Sequence, residues 1–213
     1  MKLIGLSIGV AIVLSLGACS SENNVAGGGL MSDTAKQMIA ERKAKRSGVK
    51  PKPLSRASIA NVKQSIAQIS VPKAGVKSLF TMVSQNGSNR TFLNKGGKTF
   101  TIRNNKLVAT RGLEYDLMAM GTSGQKMRTY RYLTPENHLA EIQFSCEFEG
   151  QTSDTITIVE KNYTLTRVEE FCKSPTHAFK NRYWISQASG KVWKSQQWIS
   201  PQMGHAIIEI LNN

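Results

Sequence analysis

Residues 98–111 read Lys98-Thr99-Phe100-Thr101-Ile102-Arg103-Asn104-Asn105-Lys106-Leu107-Val108-Ala109-Thr110-Arg111. Phe100 and Ile102 share one face of the first run, and Thr99 and Thr101 share the other. That period of two gives a strand one buried and one wetted side. Asn104-Asn105 then separates this run from the next, as a hairpin requires. The same texture fills the chain after Pro72. Turn candidates at Asn86-Gly87, Gly96-Gly97, Lys161-Asn162 and Ser189-Gly190 alternate with β-branched and aromatic runs. They predict strands over 76–85, 90–94, 98–103, 106–111, 126–133, 139–148, 154–160, 163–171, 179–187, 191–199 and 205–211. So many consecutive hairpins must close or stack to hide their edges. The expected fold is therefore mainly β, an antiparallel meander forming a barrel, a half-barrel or two packed sheets over residues 54–213.

Upstream the period changes. Ile59, Val62, Ile66 and Ile69 are spaced by three and four, which predicts a helix over 56–69. Ser32 or Asp33 can cap an earlier helix over 34–46, where Ala35, Met38 and Ile39 share a face, and Pro51 and Pro53 end it. Residues 20–31 are polar and glycine-rich, the composition of a flexible tether. Residues 19–53 thus read as tether and arm.

The chain opens Met1-Lys2 and runs from Leu3 to Ala18 without a charge. That run is shorter than the roughly 20 apolar residues of a membrane-spanning helix. It has the positive start, apolar middle and small-residue end of a secretory signal. The end is Leu16-Gly17-Ala18-Cys19, the pattern of a bacterial lipobox. Cleavage before Cys19 would leave its thiol for a diacylglyceryl thioether and its amino group for a further acyl chain. Buried chains contribute about 0.8 kcal/mol per CH₂, so several together anchor firmly. Ser20 follows, and a residue other than Asp there favours the outer membrane. The folded part is then expected in the periplasm.

Lys and Arg total 28 against 14 acidic residues, a formal charge of +14. The signal removes Lys2 alone. Such a balance suits an anionic partner: lipid headgroups or an acidic polysaccharide, nucleic acid being rarely met by an exported protein. Lys36, Arg42, Lys43, Lys45, Arg46, Lys50, Lys52 and Arg56 gather early, against Glu41. They form either a solvated tether or a basic arm lying on headgroups or polymer. With Cys19 committed to lipid, Cys146 and Cys172 remain, and an oxidising compartment makes them one disulfide. Such a bond asks for Cα atoms roughly 5.5–6 Å apart. No CxxC or His–Cys spacing supports a metal or a reactive pair.

Chemistry-bearing motifs are sparse. His138, His177 and His205 stand alone, without HExxH or other metal-ligand spacing. No GxSxG elbow and no phosphate-cradling glycine loop occurs. Glu114 and Asp116, two apart near Arg111, could serve a glycosidase as a carboxylate pair; a strand-end salt bridge is the structural counterpart. No cofactor is called for. The aromatics carry more signal. Trp184, Trp193 and Trp198 cluster, with Tyr183 beside the first, and aromatic faces near Lys and Arg suit sugar rings, acyl chains or core packing. Trp193 and Trp198, at odd spacing, fall on opposite faces of a regular strand.

Two stretches carry a family resemblance. One is Lys106-Leu107-Val108-Ala109-Thr110-Arg111-Gly112-Leu113, continuing through Asp116-Leu117-Met118. The other is Asn181-Arg182-Tyr183-Trp184-Ile185, then Gly190, Trp193, Ser195, Gln197-Trp198-Ile199-Ser200-Pro201 and Gly204. Together with the lipobox and Cys146 and Cys172, they resemble the YjbF/GfcB family, the group 4 capsule polysaccharide lipoproteins, over roughly residues 55–211. The resemblance implies a mostly β outer-membrane lipoprotein associated with capsule or exopolysaccharide export. It implies no active site. It leaves Arg111 and Asp116 as a strand-end pair or as pocket residues. The expected role is a non-enzymatic accessory that binds polymer or an export protein. A lipid or lipopolysaccharide carrier and a glycan-modifying enzyme are the alternatives. Arg111, Asp116, Tyr183, Trp184, Trp193 and Trp198 are the candidate ligand-binding residues.

Overall fold

The computed structural model describes residues 54–212. The lipobox with Cys19, the 20–31 tether, the 34–46 helix and the basic arm up to Lys52 lie outside them. The described chain begins with a four-residue helix, α1 (Arg56–Ile59), which Ser55 and Ser58 close with a capping box. Twelve strands follow. They are β1 (Ile66–Val71), β2 (Val76–Asn86), β3 (Asn89–Leu93), β4 (Thr99–Arg103), β5 (Lys106–Arg111) and β6 (Leu117–Ser123), then β7 (Met127–Leu133), β8 (Leu139–Ile158), β9 (Lys161–Lys173), β10 (Ala178–Ile185), β11 (Val192–Ser200) and β12 (Gly204–Ile210).

They make one antiparallel sheet in the order β5-β4-β3-β2-β1-β12-β11-β10-β9-β8-β7-β6. Consecutive strands pair throughout except for β5 and β6, and β1 pairs with β12 through Ala67↔Ile210 and Ile69↔Ile208. The two outermost strands, β5 and β6, are consecutive in the chain. The sheet therefore curls into a nearly closed barrel with a single seam. Side chains bridge that seam in place of a ladder. Thr110 Oγ1 donates to Asp116 Oδ1 and accepts from the Leu117 N–H, each at 2.8 Å. Arg111 donates to the Leu117 carbonyl at 3.2 Å, and Arg103 to that of Met120 at 3.4 Å. Gly112 begins the connecting loop at φ +85°, where a Cβ would also meet the Lys98 side chain at 3.3 Å.

The barrel is filled rather than hollow. Phe80, Phe92, Phe100 and Phe144 are fully buried. Trp198 stacks on Phe179 with ring centroids 4.7 Å apart and meets Tyr130 edge-on at 4.9 Å. A smaller cluster of Ile59, Ile66, Ile158 and Leu211, with Trp193 and Tyr163 against it, gathers α1, β1, the end of β12 and the β8–β9 tip. Arg56 fastens that cluster. Its guanidinium donates to the carbonyls of Val159 (2.8 Å), Leu211 (2.9 Å) and Ile158 (2.6 Å) and to the Tyr163 hydroxyl (2.8 Å). Arg56 belongs to the fold, not to a basic arm.

Several sequence expectations change here. The helix over 56–69 stops at Ile59, and a strand begins at Ile66. The apparent stripe feeds two cores: Ile59 and Ile66 enter the small cluster, whereas Ile69 enters the main one. Strand β6 has no predicted counterpart, because Met118-Ala119-Met120-Gly121 lacks β-branched and aromatic residues. The runs 139–148 and 154–160 are one strand, β8, kinked by a bulge between Phe148 and Gly150. Its hairpin turns at Val159-Glu160 (φ 43° and 64°), not at Lys161-Asn162. A β-branched residue in that region is strained, and Arg56 holds both turn residues: its side chain takes the Val159 carbonyl, and its N–H donates to Glu160 Oε2.

Candidate functional site

At one end of the seam the β4–β5 turn, Asn104-Asn105, faces the β6–β7 turn around Gln125-Lys126. Between them and strands β8 to β11 lies an open cleft of about 620 Å³. Its floor is Glu170 on β9. Arg128 Nη2 and Lys106 Nζ donate to Glu170 Oε1 at 2.9 and 3.2 Å, and Asn181 Nδ2 donates to Oε2 at 3.1 Å. Burial pushes the Glu170 carboxyl up, but Lys106, Asn181 and Arg128 together outweigh it and hold it below its ordinary range. Two cations thus share one carboxylate, which leaves this cluster with a net positive charge, and Arg128 Nε is buried without a hydrogen-bond partner.

Two amides carry this order into the core. Asn181 Oδ1 accepts from the Trp198 N–H at 2.9 Å, where the β10–β11 ladder has run out. Gln197 Oε1 accepts from the Leu107 N–H at 2.8 Å and the Tyr183 hydroxyl at 3.4 Å, while its Nε2 donates to the Asn105 carbonyl at 3.0 Å. Gln197 thus ties β11 across the interior to the turn that rims the cleft. Tyr183, Val168, Ile185 and Val192 supply the apolar walls. Burial, reinforced by Glu170, raises the Tyr183 hydroxyl well above the usual phenol range, so it stays a neutral donor. Phe148 stands on the rim with 66% of its surface exposed. Beside it Lys126 and Glu147 form an exposed ion pair at 3.5 Å.

Cys146 and Cys172 lie opposite each other on β8 and β9 and are bonded (S–S 2.01 Å). Their Cα atoms are 4.0 Å apart, closer than the 5.5–6 Å expectation, because directly opposed antiparallel residues approach to about 4.5 Å at the narrow pairs. Cys146 of this bond lines the cleft. Among the described residues, Cys146, Glu170 and Cys172 are the one group close enough to hold a metal, and both sulfurs are spent on each other.

The candidate residues named from sequence disperse. Tyr183 lines the cleft. Trp184 points away from it, its Nε1 donating to Asp154 Oδ2 at 2.8 Å. Trp193 lies against Tyr163 at 4.6 Å with the Lys191 ammonium 3.8 Å over its ring, and Trp198 is in the aromatic core. Arg111 and Asp116 both build the seam but make no ion pair with each other. Arg111 bonds backbone carbonyls, and Asp116 accepts from the Gly112 and Leu113 N–H groups at 2.7 and 3.1 Å as well as from Thr110. Glu114 is exposed. His205, Nε2 2.9 Å from the Lys180 carbonyl, has its pKa lowered chiefly by burial. His177 contacts Thr176, and none of the three histidines reaches the cleft. The residues that organise the cleft were not among the candidates. Lys106, Asn181 and Gln197 lie inside the two resembling stretches, and that is the signal that could have found them. Glu170 and Arg128 carry no local pattern.

A comparison with curated proteins finds no match. Among solved structures, the hypothetical lipoprotein YmcC of Escherichia coli K12 superposes with a TM-score of 0.63 at 16% identity, covering 83% of this chain and 96% of its own. At that identity the likeness is one of fold. An exported protein of Bacteroides fragilis with a YmcC-like fold matches at 14% identity over 70% of this chain and 93% of its own, with a TM-score of only 0.32. The family model described as group 4 capsule polysaccharide lipoprotein gfcB, YjbF matches residues 33–211, so that the LVATRGL seam, the Asn181–Trp198 core link and the disulfide fall within it, and the chain belongs to that family.

Proposed function

We propose that this protein is an outer-membrane lipoprotein, acylated on Cys19 and facing the periplasm, that serves capsule or exopolysaccharide secretion as a non-enzymatic accessory by holding polymer in the cleft beside Phe148. The cleft carries the reading. Its volume falls in the range of about 300–1,000 Å³ typical of ligand sites. An exposed ring on its rim suits the C–H face of a sugar, and the amides of Asn104, Asn105 and Gln125 suit sugar hydroxyls. The ionisable groups below are already paired, which favours binding over proton transfer. Glu170 is held ionised by three donors, two of which are the Lys106 and Arg128 cations. The filled interior counts against an acyl-chain carrier.

The test is deletion of the gene with surface polysaccharide measured, then complementation. The wild-type chain should restore surface polymer, and Cys19→Ala should neither restore it nor take up a fatty-acid label. Unchanged surface polymer in the deletion strain would contradict the proposal.

A further inference from the structure

Between Glu41 and Glu114 the chain contains no acidic residue at all, while ten Lys and Arg residues occur between 54 and 113. Strands β1 to β5 are built from this segment, so one side of the barrel carries only positive formal charge. The register shows what faces out. Ala67↔Phe80 and Phe92↔Phe100 point inward, which turns Leu79, Thr81, Leu93, Thr99, Thr101 and Arg111 to the outer surface. Leu93 sits opposite Thr81, one pleat from Leu79, and the β2 bulge brings Val83 next in line. Leu79, Val83 and Leu93 are 45%, 56% and 37% exposed.

A single exposed aliphatic side chain is ordinary, but three in adjacent pleats on a surface without acids are not. Lys77 lies one pleat below Leu79 and is exposed. Lys98 donates to the Gly112 carbonyl, and Arg103 and Arg111 bond backbone carbonyls across the seam. No carboxylate among the described residues neutralises these four cations.

We infer that the outer face of β2 to β5 is a membrane-docking surface that takes the phosphate-bearing headgroups of anionic lipid, independently of any acyl anchor. Aliphatic side chains ringed by cations are the composition of an interfacial site: the apolar groups enter the headgroup boundary and the cations meet phosphate. An acidic polymer would use the cations but gains little from Leu79, Val83 and Leu93, which offer neither a ring plane nor a hydrogen bond. Membership of a lipoprotein family puts a bilayer within reach of this face.

The experiment places an environment-sensitive fluorophore on Val83→Cys in the full, acylated chain, reconstituted in phosphatidylcholine vesicles and in vesicles containing phosphatidylglycerol. A control carries the probe on Leu139→Cys, an exposed position on β8. The Val83 probe should turn apolar and escape a water-soluble quencher only on phosphatidylglycerol, and high salt should reverse it. Lys77→Gln should weaken that contact by about fivefold, and Leu79→Gln should weaken it too. A Val83 probe equally wet on both lipids, or equally dry, would overturn the inference. So would a Leu139 probe that dries in parallel. Protection conferred by soluble polygalacturonate without lipid would reassign the face to polymer and overturn it as well.

Discussion

Thr110 and Asp116 meet across the one gap in the sheet, hydroxyl to carboxylate at 2.8 Å, and the same hydroxyl accepts from the Leu117 N–H. A threonine hydroxyl therefore does at the β5–β6 seam what a backbone ladder does elsewhere in the barrel. Thr110 is 1% exposed, so its bonds have no water to replace them. Thr110→Val keeps the shape and removes both. It should lower unfolding stability by about 1–3 kcal/mol, with Thr110→Ser far milder. Urea denaturation reads this directly, and an unchanged midpoint for the valine variant would contradict the seam's role.

Arg56 ties the β8–β9 tip to the end of β12 with four guanidinium hydrogen bonds. Arg56→Gln should cost on the order of 2 kcal/mol, spent locally. Amide exchange at residues 158–162 should quicken most, while Leu117 at the seam keeps its protection. Equal loss at both places would mean that the knot is not a local fastening.

The Cys146–Cys172 bond closes a loop of 26 residues in sequence separation beside the cleft. In the chain-entropy account it contributes on the order of 3 kcal/mol. Replacing both cysteines by alanine should lower stability by that amount, and thiol-blocking mass spectrometry of the exported protein should find neither thiol free. Two free thiols would contradict the bond.

Glu170 gives the domain a signed pH dependence. Its carboxyl is held below its ordinary value of 4.5 because Lys106, Asn181 and Arg128 outweigh the effect of burial. A depressed folded pKa means that the unfolded chain binds the proton first. The stabilisation is complete above the unfolded value and is lost as pH falls through the folded one. Glu170→Gln should flatten that loss in denaturation midpoints taken from about pH 7 down to about pH 3. Parallel acid limbs for wild type and variant would show that Glu170 does not carry it.

Much of the fold is legible in the sequence because every hairpin joins neighbours in the chain. The alternation of Phe100 and Ile102 and the Asn104-Asn105 turn are local signals, and the meander follows from repeating them. Strand β6 is illegible for a local reason, since Met118-Ala119-Met120-Gly121 forms a strand only through its place beside β7 and the seam. The stripe from Ile59 to Ile69 misleads because two separate cores share a helical spacing by coincidence. The cleft is less legible still. Glu170 meets Arg128 across 42 residues and Lys106 across 64, and no spacing announces partners so distant. The clustered tryptophans are the stronger local signal, and Trp198 is spent on the core.

The central claim, that the cleft beside Phe148 holds polymer, is tested most directly by titrating polysaccharide purified from the same cell into the folded chain and following amide chemical shifts. Saturable shifts should fall on Asn105, Gln125, Phe148 and Tyr183, while Leu79 and Leu93 on the opposite strands stay still. Phe148→Ala should weaken the saturation without altering the fold. Shifts confined to β2–β4, or no saturable shift around Phe148 at any polymer concentration, would contradict the account.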